Sequence, residues 1–302
     1  MRPCLSIIVP IYNEEDNIQI LNEKINNTLN LLNLSYEIIY VDDNSSDKSL
    51  TILKEIKNER TKIIKFRKNF GQTQAMLAGI NNSKGEILIT LDADLQNSPK
   101  DIVQMLDKYN QGFDLVCGWR KKRRDKFIRT IPSKLANLLI AQITNIHLHD
   151  TGCTLKIYNG DIARKMNLFA DHHRFIPAIF SQYTDKITEI EVSHNPRIYG
   201  KSKYNILRVF RVLIDLFAIT YWKNYSNKPM YFWGNLAFLN ISLSSIFLIL
   251  IFITQKFLFL ILFGIFLNSG IVFFAIGLAF ENFIKQNLSK NKDQNYEIET
   301  IL

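Results

Sequence analysis

The chain is 302 residues long, with 37 Lys and Arg against 28 Asp and Glu, a formal charge of +9. Such a length suits one large domain or two small ones, and the basic balance narrows its partners to nucleic acid, anionic lipid headgroups or phosphorylated substrates. Its three cysteines, Cys4, Cys117 and Cys153, are widely spaced without a Cys-x-x-Cys pair, which argues against a disulfide framework or a zinc site and fits a reducing cytoplasm.

Met1-Arg2-Pro3 leads directly into a strand pattern, so no secretory signal is expected at this end. Leu5-Ser6-Ile7-Ile8-Val9-Pro10 reads as a short apolar strand, closed by a proline that cannot donate to a sheet ladder. Asn13 is placed to cap a helix whose first turn would carry Glu14, Glu15 and Asp16, acids that the helix dipole favours there. Ile18, Leu21, Ile25, Leu29 and Leu32 follow at spacings of three and four, which makes one buried face. Residues 36–41 read as a second strand running into Asp42-Asp43-Asn44-Ser45-Ser46-Asp47. A helix with Leu50, Leu53 and Ile56, a strand over 62–66 and a helix over 72–82 come next, with Gly79 as a point of close helix packing.

Leu88-Ile89-Thr90-Leu91 then runs straight into Asp92-Ala93-Asp94-Leu95-Gln96. An apolar run after Gly85 predicts a buried central strand. Charges are costly inside a sheet, so Asp92 and Asp94 are expected at its C-terminal end, where open α/β folds keep their ligands. Two hard oxygen donors on a short turn suit Mg²⁺ or Mn²⁺ shared with substrate phosphates, although a turn in which one Asp caps the next helix would use the same residues.

Pro99 opens a helix predicted to reach about Asn110, and a strand over 113–118 follows. Beyond it, Trp119-Arg120-Lys121-Lys122-Arg123-Arg124-Asp125-Lys126 holds six basic residues in eight. Such a loop can be solvated, lie on anionic lipid at up to about 1 kcal/mol per basic residue, or grip a phosphorylated substrate. A helix over 133–144, a turn at Asp150-Thr151-Gly152-Cys153, a strand over 154–158, a helix over 175–183 and a strand over 186–192 complete the pattern. Alternating strands and helices predict a parallel sheet covered on both faces.

Residues 204–222 set Ile206, Leu207, Phe210, Leu213, Ile214 and Phe217 against Arg208, Arg211 and Asp215. That is the pattern of a helix in the membrane interface, and a core helix would share it. The runs 231–255 and 257–280 carry no charge, and each exceeds the roughly 20 residues that cross a hydrocarbon core. Only Gln255-Lys256 separates them, so a tight hairpin is expected, with Tyr221, Trp222, Tyr225, Tyr231 and Trp233 as an aromatic belt. Lys223, Lys228, Lys285, Lys290 and Lys292 flank its outer ends against Lys256 at the tip. The positive-inside rule then puts the large domain and the tail in the cytoplasm. With a membrane present, lipid and phosphorylated substrates take precedence, and nucleic acid is not an expected partner.

Three strand ends carry polar clusters, Pro10-Ile11-Tyr12-Asn13-Glu14, Val41-Asp42-Asp43-Asn44-Ser45 and Asp92-Ala93-Asp94-Leu95-Gln96. In a parallel sheet they share one edge, which predicts a nucleotide-type crevice. His172, His173 and His194 lack the spacing of a helical zinc pair, Gly71 and Gly79 form no Gly-rich phosphate loop, and Asp150 reads as a turn residue.

These clusters, together with Asn69-Phe70-Gly71-Gln72-Thr73-Gln74-Ala75, Arg197-Ile198-Tyr199-Gly200-Lys201-Ser202-Lys203-Tyr204 and the hairpin behind them, resemble the inverting family 2 glycosyltransferases of the GT-A fold. Within that family they look like the polyprenyl-phosphate glycosyltransferases, the group of dolichol-phosphate mannose synthase and the bacterial undecaprenyl-phosphate glucosyltransferases. The resemblance covers nearly the whole chain. It implies an α/β, GT-A (Rossmann-like), mostly parallel sheet with helices on both faces over residues 1–200. An interfacial helix over 201–228, a transmembrane hairpin over 229–284 and a cytoplasmic tail over 285–302 would follow.

The implied activity is metal-dependent transfer of a sugar from a UDP- or GDP-sugar to undecaprenyl or dolichyl phosphate, with inversion, serving glycan or cell-envelope modification. By the same resemblance, Pro10, Tyr12, Glu14, Val41, Asp43 and Ala93 would line the nucleotide pocket, and Asp92, Asp94 and Gln96 would hold Mg²⁺ or Mn²⁺. Asp92, Asp94 and Arg120 would be catalytic, and Arg120, Arg124, Arg197, Ser202 and Lys203 would bind phosphate or acceptor. His173-Arg174-Phe175 falls on the acceptor side, as surface or as substrate contact. The chain lacks the Gln-x-x-Arg-Trp motif of the processive synthases of this superfamily, which counts against a hydroxyl-directed or polymerising relative. A hairpin this small is also a candidate for packing against copies of itself.

Overall fold

The computed structural model describes residues 3–121, 147–166, 168, 173, 175–196, 214, 217–218, 220–221, 224–226 and 228–290. The chain divides into two compact units, Met1–Phe217 and Ala218–Leu302.

In the first unit β1 (Leu5–Ile11), β2 (Tyr36–Asp42), β3 (Thr61–Lys65) and β4 (Ile87–Thr90) are joined by α1 (Ile18–Asn30), α2 (Ser49–Glu55) and α3 (Gln72–Asn81). Next come α4 (Asp101–Tyr109), β5 (Leu115–Trp119), β6 (Lys156–Asn159), α5 (Gly160–Ala163), α6 (Ile176–Phe180) and β7 (Ile187–Glu191). The seven strands form one sheet in the order β3-β2-β1-β4-β6-β5-β7.

Side-chain alternation along the strands separates two cores. Leu5, Ile7, Val9 and Ile11 of β1 join Ile38, Tyr40 and Ile89 on one face, with Leu21 and Ile25 of α1 and Ile102 and Met105 of α4. Ile8, Leu88, Leu115 and Tyr158 point to the other, with Met76 and Ile80 of α3, Ala163 of α5 and Ile179 and Phe180 of α6. Each fully buried Leu or Ile contributes about 1.5–3 kcal/mol. Gly79 works as the sequence suggests, since a Cβ there would lie 2.3 Å from Ile8 Cγ2, so only glycine lets α3 sit this close to β1.

Most of the sheet is parallel, as expected, but β6 runs antiparallel to both β4 and β5. The reversal has a consequence for one edge of the sheet. It brings the segment before β6, not the one after it, to the edge where β4 and β5 end, with Lys156 in register with Thr90 and Cys117.

A second departure concerns Asn13. The helix begins at Ile18 with Asn17 as its N-cap, so Glu14, Glu15 and Asp16 precede it. Their polar groups serve the neighbouring loop instead: Asn13 Oδ1 accepts from Ser46 N (2.7 Å), Glu15 Oε2 from Lys48 N (2.8 Å), and Glu14 N donates to Ser49 Oγ (2.9 Å). Other boundaries shift by a few residues; Pro99, for instance, lies just before α4. The predicted helix over 133–144 and most of the interfacial helix lie outside the described residues.

In the second unit α7 (Pro229–Thr254) and α8 (Phe257–Lys290) form the expected hairpin, turning at Gln255 in the left-handed region (φ +52°). Each contains a stretch of mean hydropathy 2.5, and 26 residues of helix span about 39 Å, enough to cross a bilayer. Two glycines set their approach: a Cβ on Gly270 would lie 2.7 Å from Ile241 Cγ1, and one on Gly277 2.7 Å from Met230 Sδ. Trp233 stacks on Phe280 and donates Nε1–H to Tyr221 OH at 3.0 Å, an aromatic cluster at the open end of the hairpin.

Candidate active site

The loops after β1 and β2 are built against one another. Pro10 pairs with Val41 in register, Asp43 N donates to Ile11 O (2.8 Å), and Asn13 and Asn44 turn the chain in the left-handed region at φ +56° and +60°. Asparagine tolerates that conformation, which is why both turns can be tight without glycine. Tyr12 is exposed on this edge, whereas Val41 packs in the core against Ala75. Glu14 accepts from Asn17 Nδ2 at 2.6 Å.

Asp43 is buried and accepts two backbone bonds, from Phe70 N (2.7 Å) and Gly71 N (2.9 Å). Burial raises its pKa against those two bonds, and the charge of Asp42 adds to the rise. Asp43 thus joins the β2 loop to the Asn69-Phe70-Gly71 turn that starts α3.

After β4 the chain turns through Ala93 and Leu95, both buried, and Leu95 adopts φ +60°. A leucine there costs about 1–2 kcal/mol and is unusual outside functional turns. The turn lets Gln96 N donate to Asp94 Oδ1 (3.2 Å) while Gln96 O accepts from Asn195 N (2.9 Å). Asp92 is held from two sides, Oδ1 by Gln72 Nε2 (2.7 Å) and Oδ2 by Thr154 Oγ1 (2.5 Å). Burial, then the Asp94 charge, push its carboxyl up to about 6 against the pull of Thr154, Arg120 and Lys156.

A cation between the two carboxylates would relieve this repulsion, so the donor set fits one. Among the described residues no group of three or more His, Cys, Asp or Glu converges to hold a metal. Asp92 and Asp94 are the carboxylates on this turn that could hold such an ion, with Gln96 joined to Asp94 through its backbone N–H. That set suits a hard divalent ion that completes its shell with water and phosphate oxygens.

Arg120 leaves the end of β5 and forms a two-pronged pair with Asp150, Nε to Oδ2 at 2.7 Å and Nη2 to Oδ1 at 3.0 Å. Both side chains are largely buried, at 13% and 14% exposure. Burial works to lower the Arg120 pKa and raise that of Asp150; their mutual hydrogen bond and charge outweigh it, leaving Arg120 raised and Asp150 lowered. Trp119 stacks on His149 beside them, with ring centroids 4.2 Å apart. His173 Nδ1 and Thr73 Oγ1 share a buried hydrogen bond of 2.7 Å behind the first turn of α3.

Asp92 and Arg120 thus lie within one electrostatic neighbourhood, and Pro10, Asp43 and the Asp92–Gln96 turn share the same sheet edge. Arg124, Arg197, Ser202 and Lys203 lie outside the described residues. Sequence reasoning missed Gln72, Thr154 and Asp150 as partners of the site. Asp150 had read as a turn residue, and instead it is the counter-charge of Arg120.

Residues 6–166 match the model of the family described as Glycosyl transferase family 2. The chain belongs to that family. This family 2 chain is 41% identical over 240 residues to a dodecaprenyl-phosphate galacturonate synthase of Rhizobium johnstonii, a match covering 77% of this chain and 71% of that protein. It is 37% identical over 223 residues to an undecaprenyl-phosphate 4-deoxy-4-formamido-L-arabinose transferase of Pseudomonas fluorescens, covering 72% and 66%. Among solved structures, glucosyl-3-phosphoglycerate synthase of Mycobacterium tuberculosis, in complex with Mn²⁺, UDP and glucosyl-3-phosphoglycerate, superposes with a TM-score of 0.55 at 14% identity, over 72% of this chain and 79% of that one. At that identity the likeness concerns the fold, and it agrees with the GT-A expectation.

Proposed function

We propose that this family 2 member transfers a sugar from a UDP- or GDP-sugar to a polyprenyl phosphate, with inversion, at the cytoplasmic face of a membrane. The observation that carries the reading is the meeting of an acidic strand-end turn, Asp92 and Asp94, with the buried cation Arg120 in a chain similar to enzymes named for polyprenyl-phosphate sugars. The two helices long and apolar enough to cross a bilayer support the membrane setting that such an acceptor requires.

The chemistry follows from the charges. A sugar hydroxyl has to lose a proton as it attacks and so needs a general base. A phosphate monoester, with a second pKa of about 6, arrives as an anion and needs cations to orient it. Its oxygen forms the new bond to the anomeric carbon from the face opposite the departing diphosphate, and the bond from that carbon to the diphosphate breaks. An α-linked donor therefore gives a β-linked product. Arg120, held in plane by Asp150, is a cation at hand, with Arg124, Arg197, Ser202 and Lys203 assigned to the same phosphate-binding task. Pro10, Tyr12, Glu14, Val41, Asp43 and Ala93 form the nucleoside side. Asp92, Asp94 and Gln96 would hold Mg²⁺ or Mn²⁺, which supplies positive charge against the leaving diphosphate. Lys223, Lys228, Lys285, Lys290 and Lys292 at the outer ends of the hairpin favour a cytoplasmic catalytic unit and tail.

The test is to incubate the detergent-solubilised full chain with undecaprenyl phosphate, Mn²⁺ and a panel of nucleotide sugars, reading the lipid by mass spectrometry. A sugar phosphate lipid is expected with one donor and is expected to vanish in Asp94→Ala. Transfer undiminished in that variant would sink the metal assignment.

A further inference from the structure

The stretch from Asp150 to Lys156 was read from sequence as a turn and the start of a strand. In the fold it touches both halves of the site. Asp150 grips Arg120 through two side-chain bonds and also accepts from Arg120 N at 3.3 Å. Four residues on, Thr154 Oγ1 donates to Asp92 Oδ2 at 2.5 Å. A hydroxyl has one proton to give, so the 3.1 Å contact from Asn97 Nδ2 runs the other way, into the Thr154 oxygen. With Asp92 ionised, the relay therefore runs from Asn97 to Thr154 to Asp92. Gln72 holds the other oxygen of Asp92, so the carboxylate plane is set from both sides.

The stretch itself is pinned. Thr154 O accepts from Thr90 Oγ1 (2.6 Å), Leu155 O accepts from Gly118 N (3.0 Å), and Cys153 O accepts from Lys156 Nζ. Gly118 makes room for it, because a Cβ there would meet Cys153 Sγ at 3.0 Å and Leu155 O at 3.1 Å. Lys156 is only 1% exposed, and its charge acts on both Asp92 and Asp150.

We infer that the Asp150–Lys156 stretch is a positioning frame, in which Thr154 aims the Asp92 carboxylate at the metal and Asp150 aims Arg120 at substrate phosphate. This rests on the proposed transfer reaction. In this role Thr154 and Asp150 act through Asp92 and Arg120, the side chains they hold.

The frame predicts a split that a general loss of structure would not produce. Mn²⁺ binding to the purified full chain with UDP can be read from the spin-resonance signal of unbound Mn²⁺. Thr154→Val is expected to weaken it by about tenfold or more, the usual effect of removing a partner behind a metal ligand, and Thr154→Ser to restore it to within about twofold. Asp150→Asn is expected to raise KM for undecaprenyl phosphate on the order of tenfold, since the Arg120 guanidinium loses its opposite charge and keeps only a neutral amide acceptor, with Mn²⁺ affinity within about twofold of the parent. Unchanged Mn²⁺ affinity in Thr154→Val, equal weakening in the Val and Ser variants, or an unchanged KM in Asp150→Asn overturns the frame. The parent and Asp94→Ala separate the two readings. If the parent fails to bind Mn²⁺, or Asp94→Ala binds like the parent, the metal role itself is wrong and the frame falls with it. If Asp94→Ala loses binding and Thr154→Val does not, the frame alone is wrong.

Discussion

The two sides of the β4 edge are built by different means. On the proposed nucleoside side, loops 12–17 and 43–49 interlock through backbone–side-chain hydrogen bonds, such as Asn13 N to Ser45 Oγ and Ser46 N to Asn13 Oδ1, and most of the side chains involved remain partly exposed. On the proposed phosphate side, Arg120, Asp150, Lys156 and Asp92 place charge within the protein, each balanced by another. Bonds of this kind at an exposed edge, including the one Glu15 accepts from Lys48 N, are individually small and partly replaceable by water. Buried charges are not replaceable, and removing one partner leaves the other unsolvated. The phosphate side should therefore be the brittle one.

The largest test of that contrast is catalytic. Asp94→Ala should lower transfer by about a hundredfold or more, measured as lipid product per unit time, because in the proposed reaction the charge opposing the leaving diphosphate depends on it. Next in size is stability. Asp150→Ala should cost about 3–5 kcal/mol by leaving Arg120 buried and unpaired, while Asp150→Ala combined with Arg120→Met should cost less than the single change. Thermal unfolding of the two variants in one detergent compares them directly; equal or greater loss in the double variant would mean the pair is not the source.

A smaller effect follows from pH. Because the Asp92 carboxyl is raised to about 6, the metal-free protein keeps a proton there up to that pH. Between its unfolded value and about 6 the folded state binds more protons, so the metal-free protein loses stability as pH rises through that window. A cation competes with that proton, so Mn²⁺ affinity should rise, up to about tenfold, between about pH 5 and pH 7 and then level off. A flat profile in a calorimetric titration would argue against a raised carboxyl.

The smallest effect belongs to the nucleoside side. Ser45→Ala removes one acceptor from the loop pair and should cost about 0.5–1.5 kcal/mol. The nucleotide KM should change by only a few-fold. A loss as large as that of Asp150→Ala would erase the distinction between the two sides.

Much of this was legible along the chain, for a local reason. Apolar runs such as Leu88-Ile89-Thr90-Leu91 end where charge begins, because a buried sheet excludes Asp92 and Asp94, so the strand end marks the site edge. The hairpin was as plain, since uncharged runs this long have few other uses. The cap at Asn13 was misread because a side chain that can close a helix can equally close a neighbouring loop, and only the approach of 43–49 decides between them.

What sequence determined by itself, then, was the family, the strand ends that carry the acids and the apolar hairpin, all properties of contiguous residues. Tertiary structure alone decided that β6 runs backwards, that Thr154 meets Asp92 across 62 positions and that Asp150 meets Arg120 across 30. No local pattern encodes such pairs. A lone Thr or Asp in a turn is chemically ordinary until the sheet register brings a charge within reach of it.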